Sequence, residues 1–319
     1  MRRLIAGAAV SVLGVGLTIG AGGSAHADVL EEPGDTAGGI SEPNTWPDLS
    51  EPGAKEDRAQ AEAKLALSEA IFVSATGTGS QARVSKSVAQ MLADYQATFG
   101  TKALSEDTES ALLEAARPGG SSTNSDGVST RAVDAPERTI SMAQYPQAKN
   151  YYCGPAAAQA LLKAKNFGDS ADSGLALTQA NLARDEYLTT EKNDATTWAS
   201  FRMRKGMNRW RGDTFFVELP SPSGSRFQSA VLTAVSGGHG GTVDAVEYAG
   251  GLHYNNHPSD RTIGHWTAIY GHTADVVSVK LVDPSASDSV SWGHLPAEKF
   301  RYNTKQFADN FLEANGMVY

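Results

Sequence analysis

The stretch Gly264-His265-Trp-Thr-Ala-Ile-Tyr-Gly-His272-Thr-Ala-Asp275-Val-Val-Ser-Val-Lys-Leu-Val-Asp283-Pro284 decides the fold. Runs rich in β-branched and aromatic residues flank Thr273-Ala274-Asp275, the composition of two strands around a short turn. Centring the turn on Ala274 pairs residues whose numbers sum to 548, which sets His265 directly opposite Asp283. Their Cβ atoms would then stand roughly 4.5–5.5 Å apart on one face of an antiparallel pair. A carboxylate so placed accepts an imidazole N–H, fixes the tautomer and stabilises the charged ring. A slip of one residue destroys the match. Taken singly, a histidine at a strand start and an Asp-Pro at a strand end are ordinary features.

The only cysteine lies upstream, in Gln147-Ala-Lys-Asn-Tyr-Tyr-Cys153-Gly154-Pro155-Ala-Ala-Ala-Gln-Ala-Leu-Leu162. The Ala- and Leu-rich run reads as a helix with Cys153 at its start. There the positive end of the peptide dipole favours the thiolate. Pro155 suits a first helical turn, and Gly154 would let a substrate approach the backbone. Gln147, six residues upstream, could pair its amide with the Cys153 N–H as a two-donor oxyanion hole, with Gln144 as the alternative donor. The competing reading is a small buried thiol beside a helix start.

Arg2-Arg3, an apolar run from Leu4 to about Leu17, and Ala25-His26-Ala27 make residues 1–27 a secretory signal peptide. Its loss takes the net charge from −9 to −11, because the two arginines are its only charged residues. An acidic, exported chain is a poor partner for nucleic acid or anionic membrane, and no later stretch is apolar enough to span a bilayer. One cysteine excludes an internal disulfide and a cysteine metal cage.

Residues 28–54 are acidic, rich in Pro and Gly, and read as disordered. Residues 55–117 read as helical: Lys55 to Val73, then Val84 to Phe99 with apolar steps of three and four ending at Gly100, then Glu106 to Ala116. This region is either an intramolecular pro-segment or a permanent part of the protein. Residues 118–139 read as a linker. Further on, Thr178–Leu188 and Thr196–Lys205 suggest a helical hairpin. Thr214–Leu219 reads as a strand, Ser225–Val235 as a helix, Thr242–Tyr248 as a strand and Asn303–Asn315 as a closing helix.

With Gln147 before Cys153-Gly154-Pro155-Ala156, Gly264-His265-Trp266 opening one strand and Val282-Asp283-Pro284 closing the next, the chain resembles the C39 and C39-like cysteine peptidases of the papain-like superfamily. The resemblance covers residues 140–319. It implies an α+β papain-like fold, with a cysteine-bearing helix packed on an antiparallel sheet and a helical segment preceding it. It also implies Cys153 as nucleophile, His265 as base and then acid, Asp283 as its orienter and Gln147 as oxyanion donor. The expected activity is a secreted cysteine peptidase with no cofactor and no metal, acting on a peptide or protein. The alternatives are a transpeptidase or amidase on wall peptides, or a non-catalytic binding domain on the same scaffold. Transporter spans and an ATP-binding loop are absent from the sequence, so the double-glycine substrate of the transporter-linked members does not carry over.

Other histidines carry less. His253 and His257 have helical metal-ligand spacing, but Tyr-Asn-Asn between them and Pro258 after them read as loop. His239 lacks an evident carboxylate partner, and His272 reads as a turn residue. Trp198, Trp210, Trp266 and Trp292 read as core or cleft wall.

Overall fold

The computed structural model describes residues 52–77, 86–117 and 135–319. The signal-like residues 1–27, most of the acidic stretch, Val84 and the greater part of the linker lie outside the described residues.

Three helices come first: α1 (Ala54–Thr76), α2 (Val88–Phe99) and α3 (Glu106–Ala115). Ser87 and Ser105 cap α2 and α3 by accepting from the third residue on, and Gly100 ends α2 at φ +82°. A short strand, β1 (Arg138–Thr139), leads to α4 (Cys153–Ala164). Then follow two single turns, α5 (Gln179–Leu182) and α6 (Thr190–Asn193), and the helix α7 (Arg202–Arg211). After β2 (Glu218–Pro220) and α8 (Gly224–Ser236) come the two long strands β3 (Gly241–Glu247) and β4 (Ile263–His272). The chain continues through β5 (Ser278–Val282), β6 (Lys299–Asn303), α9 (Thr304–Phe311) and β7 (Gly316–Val318).

The strands form one antiparallel sheet in the order β2-β7-β3-β4-β5-β6, with β1 pairing the end of β4. Side-chain alternation sends each strand's residues to two different layers. Trp266, Ala268, Val282 and Val318 pack with α4 and α7, in the layer that contains Cys153. Val243, Ala245, Ile269, Leu281 and Met317 pack with α8 and α9. Leu67 and Ile71 of α1, Leu92 and Tyr95 of α2 and Leu112 of α3 belong to that second cluster. Lys64 drives the docking of α1: its buried Nζ donates to Phe215 O at 2.7 Å and Tyr319 O at 2.9 Å. Arg204 ties Asp57 of α1, 2.6 Å away, to the buried Glu218 of β2. The described residues of 55–117 are therefore built into one hydrophobic core with the sheet.

Several sequence expectations move. The expected hairpin does not form as such: its first arm is a single turn, Gln179–Leu182, and its second starts at Arg202 rather than Thr196, because Trp198 and Phe201 are buried in the preceding turns and Phe201 takes φ +51°. The strand expected from Thr214 begins only at Glu218. Asn208 explains this: its side chain accepts from Phe216 N and donates to Phe216 O, doing locally what a neighbouring strand would do. The closing helix ends at Phe311, and the chain turns back as β7 to pair with β2 and β3.

Candidate functional site

Cys153 is the first residue of α4, and no side chain caps that helix start. Its N-terminal N–H groups are left to act on whatever lies there. The sulfur lies among the backbone N–H groups of Gly154 and Trp266, which favour its ionised form. It reaches Trp266 because β5 pairs with β4 only from Ala268 onward, which leaves the Ile263–Thr267 edge of β4 without a strand on that side. Burial nevertheless dominates. The thiol has no solvent exposure and is pushed up to about 12, with Asp244 and Asp283 adding repulsion. Gly154 has a different role from the one expected. Its α-carbon backs onto Thr196, and a β-carbon there would lie 2.5 Å from Thr196 Cβ.

His265 pairs across the sheet with Ala245, so its ring leaves β4 on the face opposite α4's flank. The expected register is off by two. A 3-10 turn at Ala274–Val276 and an irregularity between Ile269 and Gly271 set Ala268 against Val282. Continuing that register puts Asp283 level with Thr267, diagonal to His265. Because the slip is even, both side chains keep the same face. The predicted contact forms: His265 Nε2 donates to Asp283 Oδ1 at 2.8 Å. The other ring nitrogen, Nδ1, is buried with no hydrogen-bond partner. With Nε2 committed to Asp283, Nδ1 is the ring atom left for another partner.

Gln147 is buried in the loop before α4, but its NH₂ is committed to Lys149 O at 2.9 Å and Asn150 O at 2.7 Å. Gln144 is likewise engaged with Asp283 O and Ala286 O. Neither amide offers a free donor beside the thiol in this conformation. The Gln144 amide ties the loop before Cys153 to the Asp283–Ala286 segment, whereas the Gln147 amide closes that loop on itself and its backbone N–H donates to Pro284 O at 3.0 Å. Ser287 and Ser289 complete that tie by donating to Gln147 O.

Asp283 is fully buried and richly served. Oδ1 accepts from His265, Ser285 N at 2.9 Å and Ser285 Oγ at 2.6 Å; Oδ2 accepts from Asn255 Nδ2 at 2.7 Å and His257 Nε2 at 2.9 Å. Burial pushes its carboxyl up, yet the charges of His265 and His257 hold it well below the usual carboxylate range. His257 was missed as a site residue because its spacing from His253 was judged only as a metal motif. Asn255 and Asn256, at φ +51° and +61°, instead curl the loop so that His257 points inward. The signal was a polar run, His253 to His257, inside a chain whose neighbouring strands are buried throughout.

Ring nitrogens of His257 and His265 and an oxygen of Asp283 lie within 4.8 Å of one another, which brings a metal ion into consideration. The contacts are hydrogen-bond lengths, and both carboxylate oxygens face protons from every neighbour. That pattern fits a proton-linked cluster rather than a ligand set.

The remaining histidines lie elsewhere. His239 stacks on Phe215 and bonds Thr108 Oγ1 at 2.9 Å, and burial lowers its proton affinity. His272 Nδ1 bonds Thr273 O. The four tryptophans are buried, with Trp198 stacked on Trp266. No family profile and no curated protein matches this chain.

Proposed function

We propose that the chain is an exported, papain-like cysteine hydrolase that cleaves peptide bonds. The observation that carries the reading is the state of His265: one nitrogen fixed by a buried carboxylate, the other buried and unused, one peptide bond away from the N–H beside the thiol. His265 Nδ1 has no hydrogen bond to the thiol in this conformation; in this reading it takes the Cys153 proton once a rearrangement brings ring and sulfur together, and the sulfur attacks the substrate carbonyl carbon. The Cys153 N–H faces the developing oxyanion. His265 then returns the proton to the leaving amine, and water hydrolyses the thioester with the same ring as base. A second oxyanion donor requires Gln147 to release the Lys149 and Asn150 carbonyls.

Cys153, His265 and Asp283 are all sealed from solvent, so a substrate enters only when the covering loops part. The same closure favours a second reading, a non-catalytic binding domain on this scaffold, since a thiol held near 12 is no nucleophile at neutral pH. Labelling decides between them. Iodoacetamide should modify Cys153 in the folded protein near neutral pH, and Cys153→Ala should abolish peptide cleavage. A thiol that reacts only after unfolding, with biological effect intact in Cys153→Ala, supports the second reading.

A further inference from the structure

The last residue of β3 brings a second carboxylate to the site, and the loop after it brings His257. His257 lies between Asp283, at 2.9 Å from Nε2, and Glu247, whose Oε1 is 2.6 Å from Nδ1. Both ring nitrogens face carboxylate oxygens, and only a doubly protonated ring donates to both. Burial opposes that charge, but the two carboxylates overcome it and raise the ring to about 9. The other oxygen of Glu247, Oε2, accepts from Tyr254 N at 2.9 Å and lies 3.2 Å from His253 Nδ1.

We propose that Glu247 and His257 are positioning residues that act through Asp283 to set how firmly His265 holds its proton. The proposal rests on the hydrolase reading of His265. The charges decide the direction of each effect. A His257 cation facing Asp283 alone would cancel the carboxylate that His265 depends on. Glu247 shares that cation and leaves Asp283 its pull. Glu247 therefore strengthens the imidazolium at 265 and His257 weakens it. The other groups facing this cluster are few. Ser285 Oγ lies 3.3 Å from His257 Nε2, and the rings of Tyr254 and Trp292 wall His257 at 4.6 and 4.8 Å. From β3, burial holds the Asp244 carboxyl well above its usual range. Cys153 stands at the far side, on α4.

The test follows two signals against pH in the full chain, in Glu247→Gln and in His257→Gln. One is the rate of Cys153 alkylation by iodoacetamide, and the other is the imidazole NMR titration of His265. Glu247→Gln should move the alkaline limb and the His265 midpoint down by roughly one pH unit, about tenfold in the proton equilibrium. His257→Gln keeps an N–H for Asp283 but no charge, and should move both up by a similar amount. Shifts in the same direction, or none, overturn the proposal. Opposed NMR shifts with an unreactive Cys153 sustain the coupling and sink the hydrolase reading instead. If Glu247→Gln does not fold, Glu247→Asp should keep the wild-type limb while His257→Gln still raises it. A stoichiometric divalent metal ion released by His257→Gln also overturns the proposal, since Nε2 would then be a ligand and not a donor.

Discussion

Asp283 sits two residues along from the position facing His265, and its Oδ1 nonetheless lies 2.8 Å from the ring's Nε2. The diagonal lets one carboxylate serve two imidazoles, because its second oxygen stays open toward His257. A directly opposed pair would have presented the carboxylate to a single ring.

Asp283→Asn puts an NH₂ among groups that already donate. We expect a loss on the order of 3–5 kcal/mol in urea unfolding at neutral pH. The folded carboxyl is depressed, so its contribution is complete above the unfolded value near 4 and is lost as pH falls below it. The gap between wild type and variant should therefore close in acid. A gap independent of pH would contradict this.

His257 has the opposite sign. Its folded value is raised to about 9, so its contribution is full below the unfolded value near 6.5 and fades as pH climbs through 9. Thermal unfolding of wild type against His257→Gln should show an advantage at pH 6, on the order of 3 kcal/mol, that has largely gone by pH 10. An advantage that grows with pH would place a neutral ring there.

Gly154→Ala collides with Thr196, whose Oγ1 is itself held by Thr190 at 2.6 Å. The expected cost is about 1–3 kcal/mol, read from the denaturation midpoint, together with altered reactivity at the adjacent Cys153. Unchanged stability would mean that the start of α4 is looser than described.

Nicking the chain between residues 118 and 134 should leave α1–α3 bound to the remainder, because Ile71, Leu92 and Leu112 share the core of α8 and α9 and Lys64 donates to the Phe215 and Tyr319 carbonyls. The two fragments should co-elute on size exclusion and separate only in denaturant. Separation in native buffer would show that the N-terminal helices are a detachable layer.

The sequence made some parts of this molecule legible and hid others. The stop of α2 at Gly100 and the start of α3 at Glu106 were readable, as was the helix behind Cys153. The turn near Ala274 was placed correctly, but its 3-10 geometry and the irregularity after Ile269 shifted the register by two. The His265–Asp283 contact survived because an even slip preserves the face. Gln147 misled for a different reason. Its place six residues before Cys153 suggested an oxyanion donor, yet sequence spacing does not reveal that nearby carbonyls claim its amide first. Glu247 and His257 were hidden because their partners are distant along the chain and meet only where loop and sheet close.

The enclosure of Cys153 also bears on durability. A lone sulfhydryl in an oxidising fluid ordinarily invites cross-linking to strangers or stepwise conversion to sulfinic acid. If the chain is exported as proposed, Cys153 offers no surface to peroxide or to a foreign disulfide, and burial disfavours its ionised form.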